Sequence, residues 1–184
     1  MNLHFVTSNP NKFRELSELL DSKLSRIELD LKEIQTTDLN ELVKFKLFQA
    51  FEHSQTPVIV EDTSLYFEAW NELPGPLVKF FLENIGVFGL VRALDKFNNN
   101  SAIAACCLGF TNDGRSMHLF EAKVKGFIVK PRGSTHFGWD SIFLPEGHQQ
   151  TFGEMTLHEK NKISPRGAAT KKFKHFLALQ AKQK

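Results

Sequence analysis

The chain has 184 residues, of which 41% are hydrophobic and 24% charged, a balance typical of a globular domain. Its formal net charge of +2 is too close to zero to indicate a nucleic-acid-binding protein. No apolar run approaches the ~18–20 residues of a membrane span, and the N-terminus turns polar too early for a signal peptide. We therefore expect a single cytoplasmic domain over residues 1–184, with neither a membrane nor a nucleic acid as partner.

The first chemical signal lies where a short apolar run meets a polar turn. Leu3 to Val6 has the pattern of a strand, and residues 7–12 spell Thr-Ser-Asn-Pro-Asn-Lys. Asn9 suits the N-cap of a helix and Pro10 suits its first position. Lys12 would then lie in the first turn, where the helix dipole disfavours a cation unless an anion binds there too. Lys12 is either an exposed lysine or part of an anion site.

The next two predicted elements place a second lysine on an apolar face. Ile27 to Leu31 has the pattern of a strand, and Asp38 begins a helix. The apolar stripe of this helix has Lys46 in its middle. Such a lysine either extends to the edge of the stripe with its stem packed, or borders a cleft where its ammonium meets an anion.

Two acids follow a third apolar strand. Pro57 to Val60 predicts a buried strand that ends at Glu61 and Asp62. Consecutive strand residues point to opposite sides, so one acid should face a cleft at the strand end, where α/β proteins bind ligands. A carboxylate there is a natural Mg²⁺ ligand or base for water. The alternative is a turn capped by Asp62 and Thr63.

The middle of the chain predicts a mixed sheet. Leu73 to Pro76 should form a rigid loop before a helix that ends at Gly86. Residues 101–110 and 116–129 flank a hairpin turn, Thr-Asn-Asp-Gly. Cys106 and Cys107 lie in the first of these strands, so their side chains should point to opposite faces as reduced core residues. We predict an α/β fold with a mixed central sheet and flanking helices.

Residues 136–166 concentrate the residue types that suit a planar, anionic ligand. A loop glycine, two aromatic rings, a carboxylate and two cations fall within about thirty residues. The six are Phe137, Gly138, Trp139, Asp140, Lys160 and Arg166. Ser164 and Pro165 predict the start of the last helix.

Together these segments resemble the inosine triphosphate pyrophosphatase family, which hydrolyses purine nucleoside triphosphates with non-standard bases. The matching segments lie in the family's order and run almost from end to end. They are Thr7 to Lys12, Asp30 to Gln35, Val60 to Leu65, Leu73 to Pro76, Phe137 to Asp140, Thr151, Glu154-Met155 and Lys160-Asn161. So many segments in one order make the resemblance specific.

The resemblance implies two lobes around an active-site cleft and a role for each matching residue. It implies three catalytic residues, Asp62, Lys12 and Lys46. It implies substrate contacts by Thr7, Ser8, Asn9, Lys12, Lys46, Thr63, Phe137, Gly138, Trp139, Asp140, Lys160 and Arg166. Glu33 and Asp62 would bind Mg²⁺, and Asp62 would also take a proton from the attacking water.

The resemblance further implies the reaction and the assembly. Hydrolysis would convert ITP, dITP and XTP to the monophosphate and pyrophosphate with Mg²⁺ as cofactor, and would cleanse the nucleotide pool. It also implies a homodimer. Phe137 and Trp139 both remain candidates for stacking on the base.

The chain departs from the family at one base-pocket position. The family ends this region Ser-His-Arg-Gly, whereas this chain has Ser164, Pro165, Arg166 and Gly167. Proline has neither an imidazole nor an N–H donor, so a hydrogen bond to the base is lost. One alternative follows from Pro165: the same chemistry with an altered base preference. A separate alternative is a nucleotide-binding protein without catalysis, although the presence of Glu33, Asp62, Lys12 and Lys46 argues against it.

Overall fold

A computed structural model of the chain describes residues 2–20, 24–134 and 137–182. The aromatic segment predicted from residue 136 is therefore described from Phe137 onward. The strands are β1 (Leu3–Val6), β2 (Leu24–Ile27), β3 (Val58–Phe67), β4 (Pro74–Gly75), β5 (Ser101–Thr111), β6 (His118–Ile128) and β7 (Phe143–Pro145). The helices are α1 (Pro10–Leu19), α2 (Leu39–Ser54), α3 (Val78–Leu94), α4 (Leu157–Ile163) and α5 (Pro165–Lys182).

The strands form one mixed sheet in the order β2-β1-β3-β5-β6-β7, with β4 paired to β3. β1 is parallel to both β2 and β3, whereas β3, β5, β6 and β7 pair antiparallel. β5 and β6 are the two arms of the predicted hairpin, and with β3 they form the long centre of the sheet. The predicted α/β class with a mixed central sheet is confirmed.

Helices cover both faces of the sheet. On one face α2 buries Val43 and Leu47 against β3 and β5. On the other face α1 and α5 bury Leu16 and Phe173. A further core joins the second half of α3, through Leu90, to β3, β5 and β7. We call the part of the fold around this core the second lobe, and the part around the other two cores the first lobe.

Local sequence signals account for the helix starts. The Asn9 side chain accepts hydrogen bonds from the backbone N–H groups of Asn11 and Lys12, and Pro10 follows as the first helical residue. Asp38 caps α2 in the same way, and Pro165 is the first residue of α5. Gly86 has a φ of 65°, which interrupts α3 where the sequence predicted a helix end.

Two strand predictions are wrong in their bounds. The predicted strand from Ile27 to Leu31 ends at Ile27, because β1, its partner among the described strands, ends opposite it at Val6 and the chain then turns into α1. The strand predicted to stop at Val60 continues to Phe67, because β5 pairs with it without a break. The acids Glu61 and Asp62 therefore lie inside a strand.

The acids still lie at an opening in the sheet. β1 pairs with β3 only as far as Ile59. Glu61 and Asp62 are thus just beyond the end of β1, where no strand covers that side of β3. They point to opposite faces, Glu61 toward α5 and Asp62 toward α2, as alternation along a strand requires.

The cysteines obey the same alternation. The thiol of Cys106 lies 3.1 Å from Glu61 Oε1, and that of Cys107 lies 3.3 Å from Asn40 Oδ1 on α2. Both are free and buried, and the predicted opposite orientation is confirmed. Within the described parts of the chain, no helix is both long and apolar enough to cross a membrane.

The close approach of α2 to the sheet depends on Gly109 in β5. A Cβ at this position would lie 2.7 Å from Val43 Cγ1 and 3.4 Å from Leu47 Cδ2. Val43 is fully buried and its side chain is stiff, so it cannot move aside. Gly109 therefore sets the position of the helix segment that carries Lys46.

We expect Gly109→Val to lower the free energy of unfolding by about 1–3 kcal/mol through overpacking. It should also displace α2 and with it Lys46. Urea unfolding of the wild type, Gly109→Ala and Gly109→Val should give a graded loss with side-chain size. Equal stability of all three proteins would show that α2 does not need this close approach.

Candidate active site

A cavity of about 690 Å³ lies between the two lobes. It is lined by every residue that the sequence predicts for catalysis, substrate or metal. These are Thr7, Ser8, Asn9, Lys12, Glu33, Lys46, Asp62, Thr63, Phe137, Gly138, Trp139, Asp140, Lys160 and Arg166. The fold thus brings together in one cleft residues from both ends of the chain.

The turn between β1 and α1 forms one end of the cavity. Asn9 N–H donates to Thr7 Oγ1 at 3.1 Å, and the Asn9 side chain caps α1. The Lys12 side chain folds toward the sheet, where its Nζ lies 3.4 Å from Asp62 Oδ1 and 3.5 Å from Glu61 Oε2. Lys12 is therefore not an exposed lysine on a helix surface.

Lys46 approaches the same acids from α2. Its Nζ lies 2.6 Å from Asp62 Oδ2 and 3.0 Å from Glu33 Oε1, and only 7% of the residue is exposed. Burial alone would lower the pKa of Lys46, but Asp62 and Glu33 outweigh it and hold this pKa above its usual value. The ammonium is held in the cleft and not carried to the edge of the helix.

Asp62 is an ionised carboxylate between two ammonium groups. Burial would raise its pKa, but Lys12, Lys46 and a hydrogen bond from the Thr63 N–H hold the pKa of Asp62 well below its usual value. An anionic ligand that attracts both lysines would remove the cause of this depression. The basicity of Asp62 is therefore sensitive to what else occupies the cleft.

The other end of the cavity holds two further cations. Lys160 Nζ lies 2.8 Å from Glu15 Oε1 and 2.5 Å from Asp140 Oδ2. Arg166 pairs with Glu15 through Nη1 and with Glu61 Oε1 at 3.1 Å through Nη2. Burial raises the pKa of Asp140 despite the nearby Lys160. Glu15 comes from α1, Glu61 from β3, Lys160 from α4, Arg166 from the start of α5 and Asp140 from the short helical turn before β7.

The two aromatic candidates have different environments. Trp139 is 7% exposed and packs edge-on against Phe143, with ring centroids 5.6 Å apart, in the core of the second lobe. Phe137 is less buried, and the Lys160 Nζ lies 4.6 Å from its ring centroid. Arg166 lies over the same ring at 5.6 Å. Phe137 is thus the aromatic ring that lies beside Lys160 and Arg166.

The ion pairs of both ends form one continuous, alternating network. In order of contact it runs Glu33, Lys46, Asp62, Lys12, Glu61, Arg166, Glu15, Lys160 and Asp140. Each cation in it lies between two carboxylates. A cleft lined by cations and planar rings, with a capped helix start at one end, has the chemistry for a nucleoside polyphosphate.

Comparison with known proteins agrees with this geometry. The model of the Ham1 family matches residues 3–176. The chain belongs to the Ham1 family. It is 42% identical over 183 residues to a Kluyveromyces lactis protein named inosine triphosphate pyrophosphatase, covering 94% of each chain. A Schizosaccharomyces pombe protein of the same name is 43% identical over 176 residues, covering 94% of this chain and 93% of that protein.

The fold agrees with a solved member of the family. The structure of a HAM1 protein from Coxiella burnetii superposes with a TM-score of 0.83 at 26% identity, covering 97% of this chain and 99% of that one. The resemblance inferred from short segments is therefore confirmed over nearly the whole chain.

Three residues in or behind this Ham1-family cleft had no predicted role. Glu15 is 4% exposed and joins Lys160 to Arg166. Its only signal in the sequence was an acid three positions after Lys12, beside the apolar Leu16. Lys79 lines the cavity from α3 and lies 3.7 Å from Glu33. Glu61 was recognised as one of a pair of acids, but not as a partner of Arg166.

The predicted metal ligands, Glu33 and Asp62, suit a metal ion whose other ligands come from a substrate and from water. Among the described residues, no group of three or more His, Cys, Asp or Glu side chains is gathered for a metal held by protein alone. Glu33 and Asp62 instead converge on Lys46. Mg²⁺ in nucleotide sites takes only one or two carboxylates from the protein and fills its coordination with phosphate and water. The donor set is therefore suited to Mg²⁺.

We expect Glu15→Gln to lower the free energy of unfolding by about 3 kcal/mol, because it leaves two buried cations without their shared carboxylate. Glu28→Gln is a suitable control, since Glu28 pairs with Arg26 while 74% of its side chain is exposed. That change should alter stability by less than about 0.5 kcal/mol. Equal effects in urea unfolding would contradict a buried network that depends on Glu15.

The depressed pKa of Asp62 predicts how stability depends on pH. Its folded-state pKa lies below its reference value of 3.8, so the stability it contributes is fully present above that value and is lost as the pH falls toward the folded pKa. The wild type should therefore lose stability more steeply than Asp62→Asn from about pH 5 downward. Parallel unfolding free energies of the two proteins over this range would show that Asp62 is not held by its lysines.

Proposed function

We propose that the chain hydrolyses purine nucleoside triphosphates with non-standard bases, ITP, dITP and XTP, to the monophosphate and pyrophosphate, and so cleanses the nucleotide pool. One observation carries the proposal: a single cleft has two lysines paired with the Asp62 carboxylate at one end. At its other end, Lys160 and Arg166 lie beside the Phe137 ring. The names of the yeast relatives support the same reaction.

The triphosphate would occupy the end of the cleft formed by the start of α1. Lys12 and Lys46 would exchange their carboxylate partners for phosphate oxygens, and Lys79 adds a third ammonium from the opposite lobe. The polar groups of Thr7, Ser8, Asn9 and Thr63 line the same wall and would donate to the remaining oxygens. The positive end of the helix dipole adds to this attraction.

Glu33 and Asp62 would hold Mg²⁺ together with the phosphates. When bound, the metal would neutralise charge on the triphosphate and orient its oxygens. Glu33 is half-exposed at the mouth of the cleft, where a hydrated cation can reach it.

Asp62 would then act as the base. As Lys12 and Lys46 turn to the phosphates, the Asp62 carboxylate would lose two ion-pair partners, which would leave an oxygen free to face the water. The carboxylate accepts a proton from water, and the water oxygen attacks the α-phosphorus. The bond from the α-phosphorus to the bridging oxygen breaks, and pyrophosphate leaves while the lysines stabilise the charge on the oxygens.

The base would lie beside Phe137, the ring that faces the cleft next to Lys160 and Arg166. Arg166 keeps one buried donor free: among the described residues, its Nε has no hydrogen-bond partner. Arg166 lines the cavity, so an oxo group on the purine edge would accept a hydrogen bond from its guanidinium. Gly138, Trp139 and Asp140 complete the same wall of the pocket.

A second candidate function keeps the reaction and changes the base. Pro165 lines the cavity next to Arg166 and offers no hydrogen-bond donor to a ligand. Sites that recognise a substrate by hydrogen bonds discriminate strongly only while each partner is present. The base preference of this chain would then differ from that of relatives with a donor at this position.

We also propose that residues 1–184 act as a single domain in a cytoplasmic homodimer, without a nucleic-acid or membrane partner. The net charge of +2 and the two free cysteines support the location and the lack of a nucleic-acid partner. The dimer is implied by the family. Large exposed apolar residues on α3, Phe80 and Phe88, give a surface suited to a second subunit. Light scattering of the purified protein would test the assembly.

The reaction is tested by pyrophosphate release with Mg²⁺ from ITP, XTP, dITP, GTP, ATP and dUTP. We expect release from the first three well above the others. Asp62→Asn should lower kcat by about 10²–10⁴-fold, because the base is lost while the shape is kept. Pyrophosphate and monophosphate should form in equal amounts, as cleavage between the α- and β-phosphates requires.

The same panel separates the alternatives. Comparable release from GTP or a pyrimidine nucleotide would favour the altered base preference at Pro165. Binding of these nucleotides without release of pyrophosphate would favour a binding protein and contradict the proposed hydrolysis.

A further inference from the structure

We propose that Glu61 is a positioning residue that holds the base-end cation Arg166 and the phosphate-end cation Lys12 with one buried carboxylate. It would thereby fix the distance between Arg166, which would contact the nucleobase, and Lys12, which would contact the phosphates. The inference rests on the proposed pyrophosphatase function and assigns Glu61 a role in it without contact with the reacting atoms.

The contacts of Glu61 divide between the two ends of the cleft. Its Oε1 lies 3.1 Å from Arg166 Nη2 and accepts from the Cys106 thiol, also at 3.1 Å. Its Oε2 lies 3.3 Å from the same Arg166 nitrogen and 3.5 Å from Lys12 Nζ. The Lys12 ammonium also donates to the backbone carbonyl of Glu61 at 3.5 Å. Both cations are thus held by one residue.

The position of Glu61 in the sheet restricts the movement of its side chain. It lies inside β3, paired with Leu108 of β5, and only 1% of its side chain is exposed. Burial would raise the pKa of Glu61, but Arg166 and Lys12 keep it lowered, so the carboxylate stays charged. A charged group on a central strand that β5 pairs without a break has little freedom to move.

No other acid in the network makes this connection. Glu15 pairs with Arg166 and Lys160, which both lie at the base end. Asp62 pairs with Lys12 and Lys46, which both lie at the phosphate end. Among the described ion pairs, the two ends meet only at Glu61.

The change Glu61→Gln tests this role while keeping the shape of the side chain. One carboxylate oxygen becomes an amide N–H donor, so glutamine cannot accept from Arg166, Cys106 and Lys12 together. Arg166 would keep Glu15 and Lys12 would keep Asp62, but their relative position would no longer be held. Both base discrimination and the rate with a good substrate should fall.

We expect Glu61→Gln to reduce the ITP-to-GTP ratio of kcat/KM by about tenfold, with a fall in kcat for ITP as well. The matched control is Glu121→Gln. Glu121 is a carboxylate of the same sheet that accepts from Asn40 and pairs with Lys123 outside the cavity. The control should keep the wild-type ratio.

The outcomes are distinct. A wild type that releases pyrophosphate from no nucleotide would contradict the proposed function, and the inference with it. An active wild type whose ITP-to-GTP ratio changes by less than about threefold in Glu61→Gln would overturn the inference alone. Equal losses with both nucleotides, together with lower stability, would also overturn it, since they indicate a structural role only.

A double-mutant cycle gives a second test that leaves Glu61 in place. Lys12→Arg and Arg166→Lys each keep the positive charge and shift its position. If Glu61 joins the two cations, the combined loss in kcat/KM should differ from the product of the single losses by more than about threefold. Agreement with that product would show independent sites and overturn the proposal.

Discussion

The structure depends on how two adjacent acids in the centre of a sheet are neutralised. Glu61 and Asp62 are consecutive on β3 and point to opposite faces, so a helix packed on one face of the sheet can pair with only one of them. α2 supplies Lys46 to Asp62, and α5 supplies Arg166 to Glu61. Lys12 on α1 reaches both acids past the end of β1. The early end of β1 is what leaves room for this arrangement.

This arrangement is better suited to function than to stability. Bringing several charges out of water costs free energy that ion pairing recovers only in part, and apolar residues of similar size would often serve stability as well or better. The charged groups have a different use, because their ion pairs can be exchanged for contacts with an anionic ligand. In the proposed function, a polyphosphate would offer oxygens to the same lysines that hold Asp62, so ligand binding would replace one set of ion pairs with another and would change the environment of the carboxylate at the same time.

The sequence predicted the parts of the site that are local in the chain. Asn9 and Pro10 mark a helix start, the position of Lys46 follows from the helical period, and the aromatic segment is contiguous. The sequence did not predict features that depend on distant partners. β3 extends through Glu61 and Asp62 only because β5 pairs with it, and the end of β2 follows from the end of β1. Glu15 has a role only because Lys160 and Arg166, about 150 positions away, fold against it.

In the proposed function, Pro165 leaves recognition of the nucleobase to its neighbour Arg166, which belongs to the ion-pair network. As the first residue of α5, proline leaves the helix intact, since an N–H at that position would have no partner within the helix. It removes a donor from the pocket wall without disturbing the residue that follows. Arg166 is held from its far side by Glu15 and Glu61, so its orientation does not depend on residue 165. In the proposed function, polar discrimination at this edge of the pocket would therefore depend on Arg166, which two buried carboxylates, Glu15 and Glu61, hold in place.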